Sequence, residues 1–316
     1  MKRKREIDSV HLRVIILALP PTPTFNTLQE DKYEDASEYF VKAGNAYKLA
    51  KAWMEAGEAF EAAANCFKTL NNVGDAGAKL REAGECYKRV DVNKCVVMLR
   101  EAAGIYVDGG KWNRSGDTMK LIGELFENAD SNGLISENAQ MEAVESFQLA
   151  ADYYKNESPP RTQAANSCNE KVAMLAASAG DLPRAASVFD EVAHSHLESK
   201  LLKFNARNLM IKSLICNLAN GDTVLVEQKL TEYEGLDHTL DGSLEHKLIV
   251  GLLSAVKEND KAAFSTVAAD YNNVKKIDPW MTSLLLSIKR LIPEDEEDDE
   301  EDEVEPQIAD DEEDLT

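Results

Sequence analysis

One unit of about 20 residues occurs five times in succession between Tyr33 and Phe126, and this repeat constrains the fold more than any other feature. In each copy, large apolar and small residues lie at offsets 0, 3, 7, 10 and 14, and we call this set the stripe. The copies begin at Tyr33, Trp53, Val73, Val92 and Trp112. These offsets fall on one face of an α-helix, so each copy predicts one amphipathic helix and a short turn. Small residues in the middle of the stripe allow a neighbouring helix to approach closely. Because one such helix cannot bury its own stripe, the repeat predicts stacked neighbours, as in an α-solenoid.

The helical pattern continues beyond the five copies. After a predicted turn at residues 128–138, the same offsets resume in stripes that begin with Gln140, Ala165 and Leu182. From Phe204 to Leu291 the spacing is looser but still helical, and no useful length of strand-like alternation interrupts it. The chain is therefore predicted to be all-α, a tetratricopeptide-like α-solenoid of stacked helical hairpins.

Two short sequences predict where helices end and begin. Gly180-Asp181 combines a residue suited to a helix end with an acceptor that caps the next helix. Asp278-Pro279 places a capping residue before a proline at the first helical position. Both predict sharp boundaries between neighbouring helices.

The two ends of the chain do not follow the repeat. Residues 1–30 include the helix-breaking Pro20, Pro21 and Pro23 and are predicted to be poorly ordered. Residues 293–316 form an acidic tail, because the stretch from Glu294 onward holds 16 acidic residues and no lysine or arginine. Such a segment repels itself, so we expect it to be disordered.

Composition excludes some classes of protein and favours others. Without the tail, 41 acidic residues stand against 35 basic ones, and this mildly acidic balance argues against general nucleic-acid binding. The five scattered cysteines form no CxxC pair, which indicates a reducing, intracellular setting with buried thiols. No apolar run approaches the roughly 20 residues that cross a bilayer.

The sequence contains no recognisable catalytic or cofactor motif. It has no G-x-S-x-G, no phosphate-binding G-x-x-x-x-G-K-[ST] and no H-E-x-x-H, and its five histidines do not pair on one helix face. We therefore expect a protein that is not an enzyme and needs no metal or cofactor. A stacked-helix protein of this kind mainly offers a long curved surface for binding other proteins.

Several stretches resemble the alpha-SNAP (soluble NSF attachment protein) family. They are "KYEDASEYFVKAGNAYKLAKAWMEAGEAFEAAANCFK", "AADYYKNE", "LLKFNARNLMIKSLICNLANGD", "IDPWMTSLLLSIKR" and the terminal "EEDLT". The resemblance covers about residues 31–292 and the last five residues. It implies a twisted sheet of helical hairpins over residues 31–200 and a C-terminal helical bundle over residues 201–292.

The resemblance also implies a function. Family members are adaptors that bind the assembled SNARE four-helix complex and recruit the NSF-type hexameric AAA+ ATPase, which disassembles SNAREs in vesicle trafficking and membrane fusion. It implies a cytoplasmic protein that associates peripherally with membranes. The family usually begins with a helix and an apolar membrane-contacting loop, which residues 1–30 lack, so we expect a weak membrane contact or a mis-assigned start.

The resemblance assigns site residues by position. A basic SNARE-facing surface corresponds to Lys111, Lys171, Lys203 and Arg207, although Asp117 and Ser167 stand where the family pattern has lysine. The ATPase-binding residues correspond to Glu258 and Asp260 in the bundle and to Glu312, Glu313, Asp314 and Leu315 at the end of the tail. Leu315 would enter an apolar site while the carboxylates beside it meet basic residues.

Other interpretations of the sequence stay open at this point. The first is a tetratricopeptide-type scaffold that binds peptides in its groove and has no ATPase partner. The second is a nuclear, acidic-tailed protein such as a histone chaperone, suggested by the basic run from Lys2 to Arg5 and by the tail. The tail by itself is equally compatible with a solubilising segment.

Overall fold

The computed structural model describes residues 26–129, 138–199 and 202–293, and these residues form thirteen helices and no strand. In chain order they are α1 (Asn26–Leu49), α2 (Trp53–Thr69), α3 (Val73–Tyr87), α4 (Val92–Asp108), α5 (Trp112–Glu127), α6 (Ala139–Asn156), α7 (Thr162–Ser178), α8 (Leu182–Glu198), α9 (Lys203–Ala219), α10 (Thr223–Leu236), α11 (Leu244–Lys257), α12 (Lys261–Val274) and α13 (Pro279–Leu291).

From α1 to α9 each helix packs against the next in the chain, as expected for stacked hairpins. The prediction of an all-α solenoid of helical hairpins is confirmed. Helix α1 begins at Asn26, inside the segment predicted to be poorly ordered, while residues 1–25, 130–137, 200–201 and 294–316 lie outside the described ranges. The division of the chain at residue 200 stays a prediction.

One turn geometry recurs between the helices. Among the described residues, six three-residue turns have a middle residue with φ between +55° and +88°, namely Lys51, Asn71, Gly110, Gly180, Gly221 and Asn259. The third residue of several of these turns then caps the next helix, as Asp181 does by accepting a hydrogen bond from the backbone N–H of Arg184. Both predicted boundaries are confirmed, since Asp278 accepts the N–H of Met281 in the same way.

Glycine and tyrosine pair across neighbouring helices in a way that the stripe offsets do not show. A Cβ atom added to Gly57 would lie 2.5 Å from the ring of Tyr87, and the same holds for Gly77 and Tyr106. Each tyrosine is the last stripe residue of its copy and is fully buried. The absent side chain of the glycine therefore provides the space that each ring fills.

The second half of the structure is organised around α9. This helix is buried on nearly all sides between Leu209 and Leu218, and it contacts α8, α10, α11 and α13. Although this run includes the polar Lys212, Ser213 and Asn217, all its side chains are buried, so α9 lies at the centre of this part of the core. The last helix is attached to the earlier hairpins by Trp280, whose indole N–H donates to the carbonyl of Met174 at 3.1 Å.

Candidate partner-binding surface

The four basic residues that the family resemblance pointed to lie at three places on the solenoid. Lys111 is exposed at the first position before α5, where the backbone turns through Gly110. Lys171 lies on α7 and forms an ion pair with Glu127, the last residue of α5, at 2.6 Å. Lys111 and Glu127 lie about 24 Å apart along α5, so the ammonium group of Lys171 lies near the end of α5 opposite Lys111.

Lys203 and Arg207 lie one turn apart at the start of α9, but their surroundings differ. Lys203 is exposed. Arg207 is half-buried and donates from Nη2 to Asp237 at 3.0 Å and to Thr239 at 2.5 Å, in the loop between α10 and α11. Arg207 therefore fixes this loop as well as contributing charge to the surface.

The carboxylate that receives Arg207 is held in its charged form. Burial of Asp237 raises its pKa, but hydrogen bonds from Thr239 and Arg207 outweigh burial and bring the pKa below its ordinary value. Hydrogen bonds to the ionised form have this effect because they are lost on protonation. The start of α9 is thus connected to the α10–α11 loop by a charge-assisted pair at neutral pH.

Phe204 was missed as a candidate site residue by the sequence reasoning. Its side chain is 89% exposed, the largest exposed fraction among the large apolar residues that the structure describes. It stands between Lys203 and Arg207, just before the buried run of α9. An exposed aromatic ring beside cations is a common feature of binding surfaces. In the sequence, the signal that could have identified Phe204 is its position before the buried run of α9.

Asp117, where the family pattern has lysine, has a structural role in this chain. Its carboxylate accepts a hydrogen bond from the hydroxyl of the buried Tyr154 at 2.7 Å and lies 3.6 Å from the guanidinium of Arg161. Without Asp117, the hydroxyl of the buried Tyr154 would lack this hydrogen-bond acceptor. Ser167, the other departure, is exposed near Arg161 and lines a shallow cavity with it.

The acidic candidates of the bundle both lie in the turn between α11 and α12. Glu258 follows α11 and accepts a hydrogen bond from the hydroxyl of Ser254 at 2.8 Å. Asp260 caps α12 by accepting the backbone N–H of Ala263 at 2.7 Å. Both are exposed, so the turn presents two carboxylates to solvent, and Asp260 also stabilises the helix that follows.

The tail residues predicted to bind the ATPase, Glu312, Glu313, Asp314 and Leu315, lie outside the described residues. Within the described ranges no group of three or more His, Cys, Asp or Glu side chains is placed to hold a metal ion. No helix in those ranges is long and apolar enough to cross a membrane. All five cysteines are free and buried.

A family model described as soluble NSF attachment protein, SNAP, matches residues 22–293. The chain belongs to the SNAP family. Among its relatives, an alpha-soluble NSF attachment protein of Vitis vinifera is 34% identical and covers 83% of this chain and 87% of its own. One of the same name from Dictyostelium discoideum is 36% identical, covering 83% and 86%. A vesicular-fusion protein SEC17 of Coprinopsis cinerea is also 36% identical and covers 84% and 88%.

Proposed function

We propose that this chain is a cytoplasmic, peripherally membrane-associated adaptor that binds assembled SNARE complexes and recruits the NSF-type ATPase for their disassembly. The observation that carries the proposal is the SNAP family match over residues 22–293, together with relatives named for NSF attachment and vesicular fusion. The protein would act by connecting two partners and would catalyse no reaction itself.

On the SNARE side, the cations are spread along the solenoid and are not gathered in one pocket. Lys111 and the ammonium group of Lys171 lie near opposite ends of α5, and Lys203 lies further along the chain at the start of α9. This spacing suits an elongated acidic coiled coil better than a compact ligand. Exposed cations of this kind mainly accelerate association and make it sensitive to salt.

We assign the apolar part of this contact to Phe204. Charges at the rim of an interface contribute little affinity, whereas an aromatic ring that becomes buried contributes much more. Lys203 and Phe204 are adjacent and exposed, and Arg207 is tied to Asp237. In this proposal Lys203 and Phe204 touch the SNARE bundle, while Arg207 holds the neighbouring loop in place.

On the ATPase side, two separate elements would act together. Glu258 and Asp260 present carboxylates in the turn between α11 and α12, and the tail carries Leu315 as far as about 75 Å from Pro293 when fully extended. An acidic turn within the fold and a long tether with an apolar end can engage neighbouring sites on a large partner. The second contact then benefits from a high effective concentration.

The proposal is tested by the ATPase rate of purified NSF on surface-immobilised chain. We expect stimulation by the full chain, and a large loss with Leu315→Ala or on removal of Leu315 and Thr316. If the intact, folded chain gives no stimulation while another SNAP does, the adaptor role fails. The peptide-binding scaffold would then be the better interpretation.

The SNARE contact needs its own variant and control. We expect Phe204→Ala combined with Lys203→Glu to weaken binding to an immobilised SNARE complex at least tenfold. Neither side chain is buried, so the fold should not change. The matched control is Lys32→Glu, the same charge reversal at an exposed position in the first turns of α1, which should bind within about twofold of wild type.

A further inference from the structure

The turn between α6 and α7 lies on the same side of the solenoid as two other segments, the turn between α4 and α5 and the start of α9. In a stack of antiparallel helices, alternate turns lie on the same side. Side-chain contacts agree with this placement. Glu157, just after α6, accepts the backbone N–H of Asn113 in the first turn of α5 at 2.7 Å. Asn166, near the start of α7, donates to the hydroxyl of Ser195 near the end of α8 at 2.9 Å. We call this side the α6–α7 edge.

The α6–α7 turn carries the sequence Ser-Pro-Pro-Arg at residues 158–161, and all four residues are exposed. Along the edge this turn lies between Lys111 and Lys203, the two exposed cations assigned above to the SNARE contact. The other place in the chain where serine or threonine precedes proline is Thr22, and there the third residue after the hydroxyl residue is Phe25. Ser158 alone therefore combines a following proline with a cation three residues on.

This pattern is the one that proline-directed protein kinases recognise, for two physical reasons. Their pocket for the residue after the serine offers no acceptor to a backbone N–H, and proline has no N–H to leave unpaired. A basic side chain three residues after the serine pairs with anionic groups of the same cleft. Glu157, which precedes the serine, has an extended backbone with φ −68° and ψ 151°, as suits a segment that lies in a cleft.

The turn is fixed on both sides of the serine, so Ser158 has a defined neighbourhood. Glu157 is held by the N–H of Asn113, and the guanidinium of Arg161 donates to the side-chain oxygen of the same asparagine. Asn113 follows Lys111 by two residues. A charged group on Ser158 would therefore lie close to Lys111 and would act on the same part of the surface.

The α6–α7 edge is close to electrical balance, so a modification can change its sign. In the described turns and the helix ends beside them, the cations are Lys111, Arg114, Lys155, Arg161 and Lys203, and the carboxylates are Asp108, Asp117, Glu157, Glu191 and Glu198. A phosphoserine adds about 1.5 to 2 negative charges. The edge would then repel an acidic partner that its cations attract.

We propose that Ser158 is phosphorylated by a proline-directed protein kinase and that the phosphate weakens binding of the SNARE complex; this second part rests on the proposed function. In the transfer, Ser158 Oγ forms a bond to the terminal phosphorus of ATP, the bond from that phosphorus to its bridging oxygen breaks, and ADP leaves. The hydroxyl proton passes to the catalytic aspartate of the kinase. The phosphate then competes with the SNARE bundle for Lys111 and Arg161.

The first experiment measures the modification itself and does not depend on SNAREs or on NSF. The full chain with Thr22→Ala, which leaves Ser158 as its one Ser/Thr-Pro site, is incubated with ATP and a cyclin-dependent kinase. We expect intact mass to show one added phosphoryl group, peptide sequencing to place it on Ser158, and Ser158→Ala to abolish it. A peptide of residues 153–165 shows that the kinase is active, and Arg161→Ala in this peptide should slow the reaction. Modification of the peptide but not of the folded chain would overturn the site.

The second experiment compares binding of the phosphorylated and unphosphorylated chains to an immobilised SNARE complex. We expect the phosphate to weaken binding about fivefold at low salt, and the difference to shrink as salt is raised. Kinase-treated Ser158→Ala should bind as the unphosphorylated chain does. Ser158→Glu should have a smaller effect than the phosphate, because it adds one charge only. The control Ser178→Glu, at the opposite end of α7, should bind within about twofold of wild type.

Equal binding by the phosphorylated and unphosphorylated chains would overturn the regulatory part of the proposal. If the unphosphorylated chain itself does not bind the SNARE complex, the adaptor proposal and the regulatory part fail together. The mass measurement still decides on Ser158 in that case, so the two proposals are tested separately.

Discussion

A single methyl group added to Gly57 should destabilise this protein even though alanine is the better helix former. Gly57 lies inside α2, and a Cβ atom there would approach Tyr87 to 2.5 Å. Tyr87 is fully buried, and its hydroxyl donates to Glu61 at 3.0 Å, so the ring is held at both its face and its tip. The ring must move by about 1 Å to accept the methyl group.

The size of the effect follows from two opposing contributions. Replacing glycine by alanine in a helix interior stabilises by about 1 kcal/mol. Overpacking a closely fitted core costs about 1–3 kcal/mol, and a buried ring that is hydrogen-bonded at its tip places Gly57→Ala in the upper part of this range. The net expectation is a loss of about 1–2 kcal/mol in the free energy of unfolding.

The chain supplies a matched control in the neighbouring hairpin. Gly104 lies inside α4 and is exposed, and a Cβ atom added there would meet no neighbouring atom within 4 Å. Gly104→Ala should therefore stabilise by about 0.5–1 kcal/mol through helix propensity alone. The two variants should therefore change stability in opposite directions and differ by about 1.5–3 kcal/mol.

Urea unfolding followed by far-ultraviolet circular dichroism measures both variants, with an unchanged m value as the sign that only stability has changed. Hydrogen exchange adds local information, because a repeat protein loses stability near the altered repeat first. We expect faster exchange in α2 and α3 of Gly57→Ala. Equal stabilisation by both alanines would refute the argument, because it would mean that the ring of Tyr87 does not depend on the missing side chain.

A double-mutant cycle isolates the contact itself. In a Tyr87→Leu background the methyl group at position 57 meets a smaller side chain, so its cost should largely disappear. The coupling free energy between the two positions should equal the overpacking contribution, about 2–3 kcal/mol. A coupling near zero would mean that the cost of Gly57→Ala arises elsewhere in α2.

Three further predictions concern caps, charges and turns. Asp260→Ala should destabilise α12 by about 1 kcal/mol in urea unfolding, whereas Asp260→Asn keeps the cap and should lose only ATPase stimulation. The pKa of Asp237 is lower in the folded state, so its pair with Arg207 stabilises the fold fully above the unfolded pKa of about 3.9, and this stability is lost as the pH falls through the folded pKa. In Asp237→Asn, the free energy of unfolding should therefore depend less on pH across that acidic range. Gly180→Ala should cost about 1 kcal/mol in the same assay, because φ at this position is +88°.

The fold could be predicted from the sequence because its signals are local and repeated. The stripe of the second copy, from Trp53 onward, specifies an amphipathic helix within one stretch of chain, and capping residues such as Asp181 specify where helices begin. Five copies in series then leave few alternatives to stacking. Family membership was likewise predictable, because several collinear motifs carry it.

The details of the candidate site could not be predicted, because they depend on contacts between distant parts of the chain. Only the tertiary structure shows that Arg207 is engaged by Asp237, thirty residues away, while Phe204 beside it stays exposed. Likewise, Ser158 lies close to Lys111 only because neighbouring hairpins stack in register, which brings Glu157 to the backbone N–H of Asn113. Periodicity defines the buried face of each helix, but the arrangement of exposed residues from different helices is decided by how those helices pack.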